Sequence, residues 1–214
     1  MRIKAVDASC RTGTLAGAAA IAVLGLAAAG CGSASSTAAG AAATHHAMAS
    51  HSHATAETAR FGPDCGMVPA TGMGSFRGMS MDPVVTAARH NPLLTSFAAD
   101  VKMAGLTGDL NSMHAFTVFA PANSALKKLP ANEMDMMHSP AELAKILKYH
   151  IVSGRVTPAE LAHGMTLQTL EGGSVKGAKM GSVYEVNNAQ VICGNIQTAN
   201  ATVYVINKVL VPMH

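Results

Sequence analysis

The segment NNAQVICGNIQTANATVYVINKVLVP, residues 187–212, reads as two apolar strands around a turn, with one cysteine, Cys193, in the first of them. Alternating and β-branched residues bounded by asparagine and glycine are the signature of a hairpin. Working outward, the stretches MTLQTL, SVYEVN and AQVICG lie between glycine or asparagine turns after Gly164 and also read as short strands. ATVYVINKVLV continues in the same style to the end of the chain. The chain therefore closes in β-structure.

Before Gly164 the texture is helical. Asp82-Pro83 and Asn91-Pro92 each place a capping side chain ahead of a proline suited to a first helical turn. Leu93, Leu94, Phe97, Ala98 and Val101 keep helical spacing on one face, and Gly105 supplies a stop. Ser139-Pro140-Ala141-Glu142 and Thr157-Pro158-Ala159-Glu160 repeat the capping-box arrangement. Between these helices AFTVFAP, residues 115–121, is a short apolar run rich in β-formers and ended by proline, which predicts a buried strand. Helices first and strands later, with no regular βαβ alternation, argue for an α+β fold.

What Cys193 does depends on the compartment, and the N-terminus addresses that. Arg2, Lys4 and Arg11 precede LAGAAAIAVLGLAAAG, residues 15–30, an uncharged small-apolar run suited to a secretory leader and short for a membrane span. Ala28, Ala29 and Gly30 in front of Cys31 resemble the cleavage box of bacterial lipoproteins, in which the cysteine is acylated; ordinary signal-peptidase cleavage in the Ala-rich run is the alternative. Both readings place the mature chain outside the cytoplasm. Of four cysteines, Cys10 lies in the leader and Cys31 is the lipid candidate, which leaves Cys65 and Cys193 in an oxidising compartment. A bridge between them is the expected outcome, and two separately buried thiols are the alternative.

Residues 32–60 contain no branched aliphatic residue, and an aromatic first appears at Phe61. Such a segment buries too little apolar surface to offset its ordering entropy and reads as a tether. From Cys31 onward 12 Lys+Arg face 11 Asp+Glu, so no basic stripe is left to grip nucleic acid. No G-x-S-x-G, H-E-x-x-H or Gly-rich phosphate loop is present, so the sequence carries no catalytic signature. Asn200-Ala201-Thr202 matches a glycosylation sequon, which the bacterial-style leader makes an accident.

Three motifs in order carry a resemblance. FTVFAPANSALKKLP (116–130), ILKYHIVSGRVTPAEL (146–161) and VICGNIQTANATVYVINKVLVP (191–212) resemble the opening, central Tyr-His and closing signatures of the fasciclin (FAS1) domain family. FGPDCGMVPATG and GMSMDPVVTAARHNPLLTSFA upstream are similar to the single-domain secreted and lipid-anchored mycobacterial fasciclin antigens, which also carry one cysteine in each of these places. The resemblance implies a β-wedge of short strands flanked by helices, and non-enzymatic adhesion or recognition. It implies a contact surface around Asn195, Ile196, Tyr204, Tyr149 and His150. Asn195 stands where many relatives have aspartate, Tyr204 where a histidine is frequent, and Asn207 where an aspartate is, which removes the carboxylates an integrin-type contact would use.

His150 repeats the helical phase of Leu143, Ile146 and Leu147, so it sits on a packed face and reads as a hydrogen-bonded structural group that orders the following strand. The tyrosines read as core or rim aromatics. The tether THHAMASHSH supplies His45, His46, Met48, His51 and His53, ligand types suited to copper or zinc; a polar spacer with incidental histidines is the plainer reading. The methionine-rich stretches GMGSFRGMSMD and EMDMMH add a little to the copper reading.

The expected organisation is a signal peptide (1–30), a lipidated cysteine and His/Ala-rich tether (31–60), an extension tied down by the disulfide (61–81) and the fasciclin-like domain (82–213). The expected function is a monomeric, lipid-anchored or partly secreted envelope protein that binds a protein or glycan at the cell surface or matrix and needs no cofactor. An envelope copper- or zinc-binding protein using the tether is the alternative.

Overall fold

Every residue of β1 (Phe116–Pro121) and β7 (Ala201–Ile206) is buried, because these two strands pair in parallel in the interior of the sheet with apolar layers on both faces. Alternate side chains go to opposite layers. Phe116, Val118, Ala120, Ala201, Val203 and Val205 enter the core beneath the helices, whereas Phe119, Tyr204 and Ile206 enter the core on the other face. This computed structural model describes residues 59–212. The expected leader, Cys31 and the tether residues His45, His46, Met48, His51 and His53 lie outside the described residues.

The remaining strands are β2 (Ile151–Ser153), β3 (Thr166–Gln168), β4 (Ser174–Met180), β5 (Val183–Val186) and β6 (Ala189–Gln197). They give one seven-stranded sheet in the order β2-β1-β7-β6-β5-β4-β3. All neighbouring pairs except β1 and β7 are antiparallel. A bridge between Val152 and Thr169, with the Leu170 N–H donating to the Ile151 carbonyl at 2.8 Å, brings the two ends of the sheet together and nearly closes it. The β5–β6 hairpin turns on Asn187 and Asn188, both at positive φ (44° and 64°), the backbone that a two-residue primed turn demands and asparagine tolerates.

Helices Phe76–Met81, Val84–His90, Thr95–Met103, Thr107–Ser112 and Pro140–Tyr149 supply the first core with Met79, Val85, Phe97, Val101, Leu110, Leu143 and Leu147. The fold is thus the α+β wedge of strands flanked by helices that the sequence predicts. Two strands escape the sequence reading: Ile151–Ser153, too short for a pattern, and Ser174–Met180, whose lysines and glycine mask a partial alternation of buried and exposed positions. The last strand ends at Ile206 rather than continuing through 211, because the amides beyond it have other partners.

Helix capping also departs from expectation. Thr157 and Glu160 form the reciprocal capping box, with Thr157 N–H to Glu160 Oε2 at 2.7 Å and Glu160 N–H to Thr157 Oγ1 at 3.2 Å. Ser139 makes no such bond, and Glu142 pairs instead with Lys145 at 2.9 Å. Asp82 does not cap the helix Val84–His90; its first amide donates to Asn200 Oδ1 at 2.9 Å, from a residue 116 positions away. Asn91 caps only the tight turn before the next helix, accepting from the Leu93 N–H, and Asn123 Oδ1 takes the Ser96 N–H at 2.9 Å.

The N-terminal extension docks on β6. Cys65 and Cys193 form a disulfide with Cα atoms 4.9 Å apart and 128 positions between them. Phe61 bridges Gly194 through both backbone groups, with Gly194 N–H to Phe61 O at 2.7 Å. A Cβ at Gly194 would lie 2.4 Å from the Phe61 ring, and a Cβ at Gly62 (φ 116°) 2.4 Å from the Ile192 carbonyl, so both glycines permit this approach. Chain-entropy arguments put the closure of a loop this long at about 5 kcal/mol.

Candidate functional site

His150 ends the helix Pro140–Tyr149, and its ring is fully buried. Its Nδ1 lies 2.8 Å from the Ile146 carbonyl, and its Nε2 lies 2.9 Å from the Leu210 backbone nitrogen. A backbone N–H can only donate and a carbonyl only accept, so Nδ1 carries the proton and Nε2 is bare. Burial holds the imidazole neutral, lowering its pKa from 6.5 to about 4, against a smaller opposing effect of the Ile146 carbonyl. Both nitrogens are engaged, so the ring staples the C-terminal segment to the helix end and has no free atom for acid–base chemistry. Tyr149 beside it donates its hydroxyl to the Ser174 carbonyl (2.9 Å) and accepts from Asn187 Nδ2 (3.1 Å), tying the helix to β4 and the β5–β6 turn.

Tyr204 is likewise closed to solvent, with its hydroxyl donating to the Val156 carbonyl at 2.7 Å and its pKa raised by burial and, secondarily, by Glu160 and Tyr184. Asn195 stands at φ 60° where β6 bulges between Cys193 and Ile196. Its Nδ2 donates to the Ala59 carbonyl (3.2 Å) and its Oδ1 accepts from Gln197 Nε2 (2.8 Å), so its side chain helps to seat the N-terminal extension. Ile196 is in the first core. The contact surface expected from Asn195, Ile196, Tyr204, Tyr149 and His150 is therefore corrected. All five are buried, at 5% exposure or less, because each joins two elements of the wedge.

What is exposed nearby is different. A recess of about 430 Å³ opens beside the docked extension, lined by Phe61, Gly62 and Pro63 on one side and Ser182, Val183, Gln190 and Val191 on the other. The Phe61 ring stacks on Tyr184 with centroids 4.1 Å apart, and Lys179 Nζ sits 4.8 Å over the far partner of that stack, Tyr184. Half-exposed aromatic carbon, an amide and a hydroxyl in one concavity suit a sugar ring or a peptide side chain. On the β6–β7 side, Arg155 fans its guanidinium over Gln197 Oε1 (2.9 Å) and the Thr198 and Ala199 carbonyls (both 3.3 Å).

The fasciclin-domain family model matches residues 92–212. The chain belongs to the fasciclin domain family. It is 44% identical over 160 residues to the immunogenic protein MPB70 of Mycobacterium bovis and to MPT70 of Mycobacterium tuberculosis, covering 71% of this chain and 81% of each relative. It is 40% identical over 148 residues to the cell surface glycolipoprotein MPB83 of M. bovis, covering 66% of each chain. A solved FAS1 domain pair from the insect cell adhesion molecule fasciclin I superposes with a TM-score of 0.52 at 18% identity, over 63% of this chain and 52% of that one, which establishes the shared fold.

Within this fasciclin domain the Tyr149-His150 segment is framework, and the accessible chemistry lies on surfaces that only the fold assembles. Sequence reasoning missed the recess because Phe61 reads as the start of an extension and Ser182 and Val183 as the opening of a short strand, 121 positions or more downstream. Among the described residues no three His, Cys, Asp or Glu side chains converge. No helix among them is long and apolar enough to cross a membrane. The sequon at Asn200 is closed: its Nδ2 donates to the Leu110 and Met113 carbonyls at 2.7 and 3.0 Å in a buried site.

Proposed function

We propose that this fasciclin domain is a non-enzymatic recognition module of the cell envelope, exported by its leader, held at the outer face of the membrane through Cys31, and binding a protein or glycan as a monomer. Relatives named as immunogenic and cell surface proteins support the surface location, and the leader and cysteine pattern support export with a fraction released. The observation that carries the reading is the recess beside the extension, because aromatic, amide and hydroxyl groups meet there at an open surface.

The test is binding of the purified, disulfide-intact chain to a panel of glycans, matrix proteins and cell surfaces, with Ser182→Arg and Val183→Arg variants beside it. Saturable binding that both variants lose, with folding unchanged, supports the reading. Binding that neither variant affects moves the contact away from the recess, and no binding across the panel removes the recognition role. Incorporation of an alkyne-tagged fatty acid that Cys31→Ser abolishes tests the anchor.

A further inference from the structure

The methionines of this chain are not spread evenly, and one group of them shares a concavity. EMDMMH, residues 133–138, spans most of the helix Ala131–Met137 and the residue beyond it. Met134, Met137 and His138 stand at i, i+3 and i+4, which places them on one side of that helix. Across from them Met103 ends the helix Thr95–Met103, with Asp100 one turn before it. All five line one recess of about 210 Å³, completed by Ser96, Leu126 and Leu129.

Two features of this recess go beyond ordinary packing. Met103 and Met134 are 54% and 40% exposed, so their thioethers stand at the mouth instead of filling the core, while Met137 rests against it. Long, unbranched methionine side chains can turn inward to close on a small guest. Asp100 is half-buried with no cation beside it; the one ion pair among the described residues joins Lys145 to Glu142. A positive charge entering the recess would meet this carboxylate in its lining.

We propose that the recess framed by Met103, Met134, Met137 and His138, with Asp100 in its lining, is a Cu(I) site. Thioethers are soft ligands that select Cu(I) over zinc or magnesium, and imidazole suits copper as well. Zinc would need three or four imidazole, thiolate or carboxylate ligands, and this recess offers one imidazole and one carboxylate. The site uses none of the tether histidines and none of the residues that line the recognition recess, so it is tested independently of both.

The test uses the full chain with its disulfide intact, titrated anaerobically with Cu(I) against a chromophoric chelator, and followed in parallel by the ¹H–¹³C signals of the methionine ε-methyl groups. One equivalent of Cu(I) is expected to shift Met103, Met134 and Met137 together while Met67, Met81 and Met180 stay in place. Met134→Leu/Met137→Leu conserves volume and is expected to weaken binding by more than about 100-fold, and His138→Ala by at least about tenfold. Alanine at His45, His46, His51 and His53 with Leu at Met48 is expected to leave the ε-methyl shifts intact. Unchanged affinity in the double leucine variant, shifts confined to Met48, or no shift at any methionine would each overturn the proposal. Folding of the leucine variant is checked by the unperturbed Met79 signal.

Discussion

The imidazole of His150 accepts a hydrogen bond from the Leu210 backbone N–H, 2.9 Å away and 60 positions later in the chain. With Nδ1 committed to the Ile146 carbonyl, the ring can hold this contact only while it is neutral.

That requirement makes stability depend on pH with a defined sign. The native pKa of His150, about 4, lies below the unfolded value of 6.5, so between them the unfolded chain takes up a proton that the native ring refuses. The contribution is complete above about pH 6.5, declines as pH falls, and is gone below about pH 4, a loss of about 3 kcal/mol. Asp100 acts in the opposite direction, since its native pKa is raised. Urea unfolding of the parent and of His150→Gln at pH 7 and pH 4.5 separates them. The variant should be weaker at pH 7 by about 2–4 kcal/mol, and the gap should narrow on acidification.

Reduction should loosen the extension before the wedge. Losing the Cys65–Cys193 bond is expected to cost about 2–5 kcal/mol, and Cys65→Ser/Cys193→Ser should show it as a lower urea midpoint. Limited proteolysis of the reduced protein should cut first in residues 59–70, ahead of β1. Equal midpoints for reduced and oxidised protein would contradict this.

Asn200 is expected to be among the most sensitive polar positions. It accepts from the Val84 amide and donates to the carbonyls of Leu110 and Met113, so one side chain caps one helix and ties down the end of another. Asn200→Ala should cost about 2–4 kcal/mol, and Asn200→Asp, which retains the acceptor but loses both donors, should cost a similar amount. Hydrogen exchange at the Val84 amide should accelerate in both.

At Gly194 the space itself is the test. Gly194→Val places carbon into the Phe61 ring and should displace residues 61–63 while leaving β7 and its partners in place. Loss of the Phe61 contact should change Tyr184 fluorescence, and Trp-free composition keeps that signal readable. Tyr204→Phe is the counterpart. It removes a buried bond to Val156 and should cost about 1–2 kcal/mol without altering ligand binding.

By itself the sequence determined the α+β class, the family, the paired cysteines, the buried strand within residues 115–121 and the presence of a closing strand from Ala201. These follow from local rules: a strand buried on both faces is largely apolar, and an exported chain with two remaining cysteines tends to join them. The capping box at Thr157 was legible for the same reason, since donor and acceptor lie three residues apart. Only the tertiary structure decided that Asn200 caps a helix 116 positions away, that Asn195, Ile196, Tyr204, Tyr149 and His150 are inside, and that Phe61 meets the β5–β6 hairpin. The gathering of Met103 with Met134, Met137 and His138 around Asp100 belongs with these. Side-chain hydrogen bonds and cavities join atoms that are close in space, and nothing in the local pattern of a chain states which distant backbone groups will be left needing a partner.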